Sequence, residues 1–170
     1  VVLKLLELTE EFDRRFQESK REKNIVDFND LEHYALEILI CSEQDVEKGS
    51  APAGETDDGI RNGILYTETA DQLSRQYAEI LVDEYQDSNY VQEALIQSLS
   101  GERFGRPNVF MVGDVKQSIY KFRLARPELF MEKYDTYSRE ESSHQMIELQ
   151  QNFRSRASVL TCINDIFYQI

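Results

Sequence analysis

The octapeptide ILVDEYQD, residues 80–87, passes from aliphatic residues into a cluster of acids. The aliphatic part predicts a short buried strand over 79–83, and Asp83 and Glu84 close that strand at its C-terminal end. A carboxylate in this position can hold magnesium, mainly through the metal's water ligands, and its neighbour can orient or deprotonate an attacking water. Two plainer interpretations stay open: the acids simply meet solvent at a strand end, and Asp87 caps the following helix.

The composition is that of a globular protein. The chain has 170 residues, of which 41% are hydrophobic and 11% aromatic, and its net charge is −13. This charge argues against uniform adhesion to nucleic acid, so any contact with DNA needs a local basic patch. The first residue is Val1 rather than methionine, and we therefore expect the chain to be a fragment of a longer protein.

Cysteine usage indicates a reducing compartment, and hydropathy indicates a chain without a membrane-spanning segment. Cys41 and Cys162 lie far apart and form no Cys-x-x-Cys pair, so we expect neither a disulfide scaffold nor a zinc ribbon. The longest apolar runs are far shorter than the roughly 20 residues that span a bilayer, and no signal peptide is recognisable. We expect a soluble, cytoplasmic protein without membrane contact.

Periodic apolar residues predict helices in the first part of the chain. Steps of three and four residues predict an amphipathic helix over 2–22, and a second helix follows Asp27, its expected N-cap. Residues 47–63, with four glycines, a proline and several acids, predict a flexible or disordered surface loop, and a short helix follows at 68–77. The apolar stripe of the first helix consists of Leu5, Leu8, Phe12 and Phe16.

Strands and helices alternate in the second part, which predicts an α/β fold with a parallel sheet covered by helices. Asn89 and Gln92 predict a capping box for a helix that runs to about Leu99. Pro127 suits the first turn of another helix. The remaining expected elements are strands at 108–113 and 146–150 and helices at 127–137 and 156–168.

A second polar segment, residues 113–123, also follows a predicted strand and should emerge at the same sheet edge as Asp83. Gln117 has a long, neutral side chain that can hydrogen-bond to a γ-phosphate or to the attacking water. Tyr120 and Phe122 lie among basic residues. Proteins bind single-stranded nucleic acid by stacking its bases on aromatic rings and by pairing its phosphates with cations. The alternative is that the two rings fill core. The basic residues are Lys116, Lys121, Arg123 and Arg126.

A third segment, residues 149–156, follows the last predicted strand and contains Arg154. A guanidinium there can donate a fork of hydrogen bonds to a transferring phosphoryl group. Taken alone, an arginine such as Arg154 is more often a structural salt-bridge partner, and its position after a predicted strand is what favours the functional interpretation.

The three segments together resemble motifs II, III and IV of the superfamily 1 DNA helicases of the UvrD/Rep type, with the strongest similarity to the AddA family of helicase–nuclease subunits. In UvrD-type relatives, the position of Phe122 is usually tryptophan and that of Leu124 is commonly glycine. The similar stretches are ILVDEYQD at 80–87, GDVKQSIYKFRLARPELF at 113–130, LQQNFRSR at 149–156 and, more weakly, VDFNDLEHYAL at 26–36.

This resemblance implies a partial RecA-like P-loop NTPase domain, with a parallel sheet flanked by helices and a helical N-terminal segment. Residues 1–26 would lead from an accessory subdomain of the 1B type, and residues 27–170 would form part of motor domain 1A. The parent protein would use ATP and Mg²⁺ to move 3′-to-5′ on single-stranded DNA. It would act on duplex DNA in double-strand break repair and recombination, as a helicase and exonuclease with an AddB-like partner subunit.

The resemblance also implies residue roles. Asp83 would hold Mg²⁺, mainly through water, and Glu84 would act on the hydrolytic water. Gln117 and Arg154 would reach the γ-phosphate, and Gln86 would link the ATP site to motif III. The residues that would face single-stranded DNA are Tyr120, Lys121, Phe122 and Arg123.

The 170 residues contain no Gly-x-x-x-x-Gly-Lys-[Ser/Thr] phosphate loop. Without its backbone N–H groups and lysine, the β- and γ-phosphates lose their main cradle, so we expect the chain alone neither to hydrolyse ATP nor to unwind DNA. Two rival interpretations remain. One is a metal-dependent nuclease that uses Asp114 and Lys116, and the other is a RecA-like module that binds single-stranded DNA or proteins without ATPase activity.

Overall fold

The computed structural model describes residues 2–41, 60–61, 64–119 and 124–169. The chain divides into two compact units, the first ending at Lys133 and the second beginning at Tyr134. The helices are α1 (Val2–Lys23), α2 (Phe28–Leu39), α3 (Glu68–Gln76), α4 (Tyr90–Leu99), α5 (Pro127–Thr136) and α6 (Ala157–Phe167). The strands are β1 (Ile60–Arg61), β2 (Ile64–Leu65), β3 (Ile80–Val82) and β4 (Val109–Met111).

Helix α1 confirms the helix predicted over 2–22 and ends one residue later. Its apolar stripe nevertheless stays open to solvent, with exposed fractions from 44% at Phe16 to 68% at Phe12. The rings of these two residues stack on each other with their centroids 5.8 Å apart. The periodicity therefore identifies the helix and its apolar face, although the residues that the structure describes do not cover that face.

One lysine and two aspartates hold the turn between α1 and α2. The Lys20 ammonium lies 2.6 Å from Asp30 Oδ1 and 3.1 Å from Asp27 Oδ2, and the lysine side chain is only 8% exposed. Asp27 is the N-cap of α2, as predicted, because its carboxylate accepts from the Asp30 N–H while the Asp30 carboxylate accepts from the Asp27 N–H. Lys20 holds the pKa of Asp30 below its ordinary value, and the Asp30 N–H, followed by Lys20, does the same for the pKa of Asp27.

The predicted loop at 47–63 lies largely outside the described residues. Its described end forms β1, which pairs antiparallel with β2 so that Ile60 lies opposite Leu65. Helix α3 then begins after Thr67, whose hydroxyl oxygen accepts from the Ala70 N–H. The helix ends one residue before its predicted limit.

Strands β3 and β4 pair in parallel and confirm two of the predicted strands in shorter form. Helix α4 connects them, and the predicted capping box at Asn89 and Gln92 is present with both reciprocal hydrogen bonds. The segment β3–α4–β4 is therefore a strand–helix–strand crossover of the kind that builds parallel sheets. The paired residues are Ile80 with Val109, Leu81 with Phe110, and Val82 with Met111.

The third strand, predicted over 146–150, is wrong. These residues have no regular secondary structure, and the nearest pairing is an isolated bridge between Ser138 and Gln145. Ile147 is 65% exposed and Leu149 is 85% exposed. An apolar run becomes a strand only when a neighbouring strand takes up its N–H and C=O groups. The described part of the second unit offers no such neighbour. The two flanking helices are confirmed, as α5 and α6.

Small buried residues on α3 and α4 form the centre of the first unit. Ala70 and Ser74 on α3 and Ser98 on α4 are fully buried, which lets the helices approach closely. The guanidinium of Arg103 then ties the helices together, since it donates to Asp71 Oδ1, Ser74 Oγ and the Ser98 carbonyl. The Arg103 side chain is only 6% exposed, so these bonds lie in the interior of the first unit.

Candidate functional site

Two polar segments meet at one edge of the sheet. Asp83 and Glu84 leave the C-terminal end of β3, and residues 113–117 leave the C-terminal end of its parallel neighbour β4. Both acids are exposed. The sequence prediction that these segments share one edge is confirmed, and this edge is where open α/β sheets bind their ligands.

Glu84 has a left-handed backbone conformation, with φ 51° and ψ 37°. For a residue with a side chain, this conformation costs about 1–2 kcal/mol and is concentrated at functional positions. The Asp83 carboxylate supports it by accepting from the Glu84 N–H at 2.9 Å. On the other side, the Tyr85 N–H donates to the Val112 carbonyl at 2.9 Å, so the chain is fixed on both sides of Glu84.

Gln86 joins the two polar segments through its side-chain amide, which is only 1% exposed. Its Nε2 donates to Glu84 Oε2 at 2.7 Å, and its Oε1 accepts from the Asp114 N–H at 3.0 Å. A displacement of either Glu84 or the start of the 113–117 segment must therefore break or move a buried hydrogen bond of the other.

Gly113 leaves the space that the Gln86 amide needs. A Cβ atom on Gly113 would lie 2.7 Å from Gln86 Oε1 and 3.1 Å from Phe130 Cε2. These distances are shorter than ordinary van der Waals contact, so a side chain here would have to push Gln86 or the α5 residue Phe130 aside.

Gln117 contacts Asp114 rather than Glu84. Its Nε2 donates to Asp114 Oδ2 at 3.1 Å, and the other carboxylate oxygen accepts from the Lys116 N–H at 3.1 Å. The Gln117 amide, followed by the Lys116 backbone and ammonium, holds the pKa of Asp114 below its ordinary value. Lys116 is 84% exposed, and its ammonium lies 3.5 Å from Asp114. Within the described ranges, no group of three or more His, Cys, Asp or Glu side chains is arranged to hold a metal.

The expected DNA-facing residues Tyr120, Lys121, Phe122 and Arg123 lie outside the described residues. The chain on either side of them is exposed, with Ile119 at 70% and Leu124 at 72%. Further on, the Arg126 guanidinium lies over the exposed Tyr90 ring, 5.3 Å from its centroid. The Arg126 N–H donates to the Ser88 carbonyl at 2.8 Å, which ties the end of this segment to the chain just after Gln86.

Arg154 belongs to the second unit. Its side chain is exposed, and its N–H and that of Ser155 both donate to Asn152 Oδ1, at 3.0 and 2.9 Å. Asn152 thereby closes a turn around Arg154, which leaves the guanidinium open to solvent.

Comparison with known proteins shows the family of the chain. The UvrD/REP helicase N-terminal domain matches residues 4–138, most of the chain and the whole sheet edge described above. The chain belongs to the UvrD/REP helicase family. Within this helicase domain, Leu124 has a φ of 65°, a left-handed conformation that glycine adopts most easily. The resemblance already marks Leu124 as a position where UvrD-type helicases commonly carry glycine.

Several relatives are named as the A-subunit of an ATP-dependent helicase/nuclease. The chain is 53% identical over 169 residues to the protein of Lachnoclostridium phytofermentans, 49% over 166 residues to that of Clostridium botulinum and 46% over 170 residues to that of Oceanobacillus iheyensis. These alignments cover 98–100% of the chain but only 11–12% of each relative. No helix in the described part of this helicase domain is both long and apolar enough to cross a membrane.

Sequence reasoning missed one group of residues in the helicase domain. The Tyr85 hydroxyl donates to Glu93 Oε2, and the Lys133 ammonium lies 2.8 Å from the other oxygen of the same carboxylate. The three residues come from the turn after β3, from α4 and from α5. They share no motif and span 48 positions, so only the fold brings them together.

Proposed function

We infer that the chain is part of the motor of an ATP-dependent DNA helicase/nuclease, in which ATP hydrolysis is coupled to movement on single-stranded DNA. Because the chain spans 11–12% of its curated relatives, the activity is proposed for the whole protein and not for these 170 residues alone. The observation that carries the proposal is the buried Gln86 amide, which joins Glu84 to the backbone of Asp114. A motor needs such a connection between its hydrolytic residue and its DNA-binding segment.

Asp83 and Glu84 fit the hydrolytic roles. Asp83 presents an exposed carboxylate at the end of a strand, and the described residues place no cluster of further ligands beside it. This donor set fits Mg²⁺, which keeps most of its water ligands and binds through one or two carboxylates together with nucleotide phosphates. When bound, the ion would offset the charge that develops on the phosphates. Glu84, held by its own backbone and by Gln86, would orient and deprotonate the attacking water.

Gln117 and Arg154 would contact the γ-phosphate. The Gln117 amide donates a hydrogen bond to the Asp114 carboxylate. This bond is exposed to solvent, so another acceptor can replace it at little cost. On ATP binding, Gln117 would leave Asp114 and donate to a phosphate oxygen instead. Arg154, with an exposed guanidinium, would donate to the same phosphoryl group as negative charge builds up on it.

The segment 120–123 would bind single-stranded DNA. Tyr120 and Phe122 would stack on bases, and Lys121 and Arg123 would meet phosphates. Because the chain carries a net charge of −13, these local cations would direct the strand to one place on the protein.

The wider setting follows from the family and the names of the relatives. Residues 1–26 would connect to an accessory subdomain, and residues 27–170 would belong to a RecA-like motor domain that an upstream phosphate loop completes. The whole protein would work in the cytoplasm with an AddB-like partner subunit, in double-strand break repair and recombination. It would translocate 3′-to-5′ and would also act on duplex DNA as an exonuclease.

The test is Glu84→Gln in the full-length protein, with ATP turnover measured at saturating single-stranded DNA. Loss of a general base should lower turnover by about 100-fold or more, while equilibrium binding of ATP stays close to that of the wild type. Glu79→Gln is the matched control, because Glu79 is an exposed acid immediately before the other end of β3.

Two results would contradict the proposal. Normal turnover in Glu84→Gln would remove Glu84 as the hydrolytic residue. A wild-type ATPase that does not respond to single-stranded DNA would favour a binding module without motor activity. The isolated 170-residue chain should show no ATPase, since it lacks the phosphate loop.

A further inference from the structure

A buried tyrosine lies beside the proposed hydrolytic residue. Tyr85 follows Glu84 directly in the short turn Tyr85–Asp87, and its side chain is 0% exposed. Its ring lies 6.3 Å from the Phe130 ring on α5. Its hydroxyl donates to Glu93 Oε2 on α4. The side chain thus leads from the site into the contact between two helices.

Lys133 on α5 completes the cluster. Its ammonium donates to Glu93 Oε1 at 2.8 Å and lies 5.3 Å from the centroid of the Tyr85 ring. The Glu93 side chain is 15% exposed and that of Lys133 is 18% exposed, so the pair is largely withdrawn from water. Burial by itself would raise the pKa of Glu93, but the bonds from Lys133, Tyr85 and Gln97 hold it below its ordinary value.

The same turn receives both ends of the 113–126 segment. At the start, the Asp114 N–H donates to Gln86; at the end, the Arg126 N–H donates to the Ser88 carbonyl at 2.8 Å. Ala125 is only 3% exposed, and α5 begins at Pro127 without an intervening loop. A displacement of Arg126 at the end of this segment would therefore reach α5 directly, and α5 contacts Tyr85 through Phe130 and Lys133.

We propose that Tyr85, Glu93 and Lys133 form a positioning cluster that couples α5 to the backbone of Glu84, so that binding of single-stranded DNA, transmitted through Arg126 and α5, sets the geometry of ATP hydrolysis. The proposal rests on the proposed function and adds a second connection to the one through Gln86. Neither Tyr85, Glu93 nor Lys133 touches nucleotide or DNA in this scheme. For stability alone, a buried ion pair is on average no better than apolar side chains of the same volume, so stability does not by itself explain Glu93 and Lys133. The Tyr85 hydroxyl instead holds the Glu93 carboxylate at the turn that follows Glu84.

The experiment compares basal and DNA-stimulated ATP turnover of the full-length protein in Tyr85→Phe, Lys133→Met and the double variant. Each single variant should lower the DNA-stimulated kcat about tenfold, the size expected for one hydrogen bond to a charged group. The basal kcat and the KM for ATP should change less than about twofold, because the hydrolytic residues stay in place. The double variant should be no slower than the slower single variant, since both changes break the same connection.

Gln97→Leu is the matched control. Gln97 Nε2 also donates to Glu93 Oε1, at 3.1 Å, but Gln97 lies on α4 with Glu93 and so links it to no other element. Its removal should leave DNA stimulation as in the wild type. If Lys133→Met does not fold, as judged by circular dichroism, Glu93→Gln replaces it, while Tyr85→Phe keeps the ring in its pocket.

Each outcome separates the hypotheses. Equal losses of basal and stimulated kcat would reduce the cluster to a structural contact, and unchanged kinetics in Tyr85→Phe would do the same. A loss of stimulation in Gln97→Leu equal to that in Tyr85→Phe would also overturn the proposal. A wild-type enzyme without DNA stimulation would overturn the proposed function itself, and this inference with it.

Discussion

Gly113→Ala should uncouple ATP hydrolysis from DNA binding, although it adds only one methyl group. The new Cβ would lie 2.7 Å from Gln86 Oε1, on a side chain that is 1% exposed and bonded at both ends of its amide. The Gln86 side-chain oxygen is the nearest atom, closer than the Phe130 ring at 3.1 Å, so it should be displaced first. Its displacement breaks the bond to Glu84 and leaves the Asp114 N–H without its acceptor.

The expected loss of DNA-stimulated turnover follows from the free energy of these two hydrogen bonds. Losing a hydrogen bond to a carboxylate and leaving a half-buried N–H unpaired should together cost about 2–4 kcal/mol, after allowance for the exposure of Glu84. If this free energy is lost from the transition state of DNA-stimulated turnover, kcat should fall by about 30- to 900-fold.

The assay is steady-state ATP turnover of the full-length protein at saturating single-stranded DNA, with Gly105→Ala as control. Gly105 has a φ of 70°, and nothing lies within 4 Å of the place that its Cβ would occupy. An alanine there costs about 1–2 kcal/mol of backbone strain, which lowers the temperature of unfolding without touching Gln86. A Gly113→Ala protein whose DNA-stimulated kcat stays within about threefold of the wild type, less than about 1 kcal/mol, would refute the argument.

Three further predictions concern DNA affinity, pH and the α1–α2 turn. Phe122→Ala should weaken binding of single-stranded DNA by about 1–3 kcal/mol in a fluorescence-anisotropy titration if the ring stacks on a base. Unchanged affinity would mean that the ring packs in the protein interior instead. The pKa of Glu93 is held below the ordinary value of 4.5, so its contribution to stability is complete above that pH and is lost as the pH falls through the folded-state pKa. Thermal unfolding should therefore show that the stability advantage of the wild type over Glu93→Gln shrinks below pH 4.5, and an advantage that grows there would contradict the assignment. Lys20→Met leaves Asp27 and Asp30 facing each other without their shared cation, so hydrogen exchange should quicken in the first turn of α2, whereas exchange at the wild-type rate would show that the lysine does not hold the turn.

Local structure was largely predictable because its signals act over a few residues. Asp27 and Asn89 cap helices through bonds to residues three positions later, and Pro127 begins a helix as its fixed φ allows. The shared sheet edge of Asp83 and Asp114 followed from the parallel arrangement alone. In each case both partners of the interaction lie within one short segment or within the single strand–helix–strand crossover.

The remaining features depend on contacts that a pattern does not specify. The run at 146–150 has the composition of a strand but no neighbouring strand in the described part of its unit. The stripe at Phe12 and Phe16 marks an apolar face without saying what covers it. The cluster of Tyr85, Glu93 and Lys133 spans 48 positions and three elements, and none of these residue types carries a signal at that distance.

The left-handed backbone of Glu84 has an evolutionary consequence. Glycine at this position would relieve the strain of about 1–2 kcal/mol, so selection for stability alone would remove the glutamate. A chain that keeps glutamate here accepts a less stable fold in return for a carboxylate with one fixed direction. Stabilised variants of this domain, whether bred by selection or designed, should therefore be screened first for substitutions at Glu84, because the easiest gain in stability lies at the residue on which turnover depends.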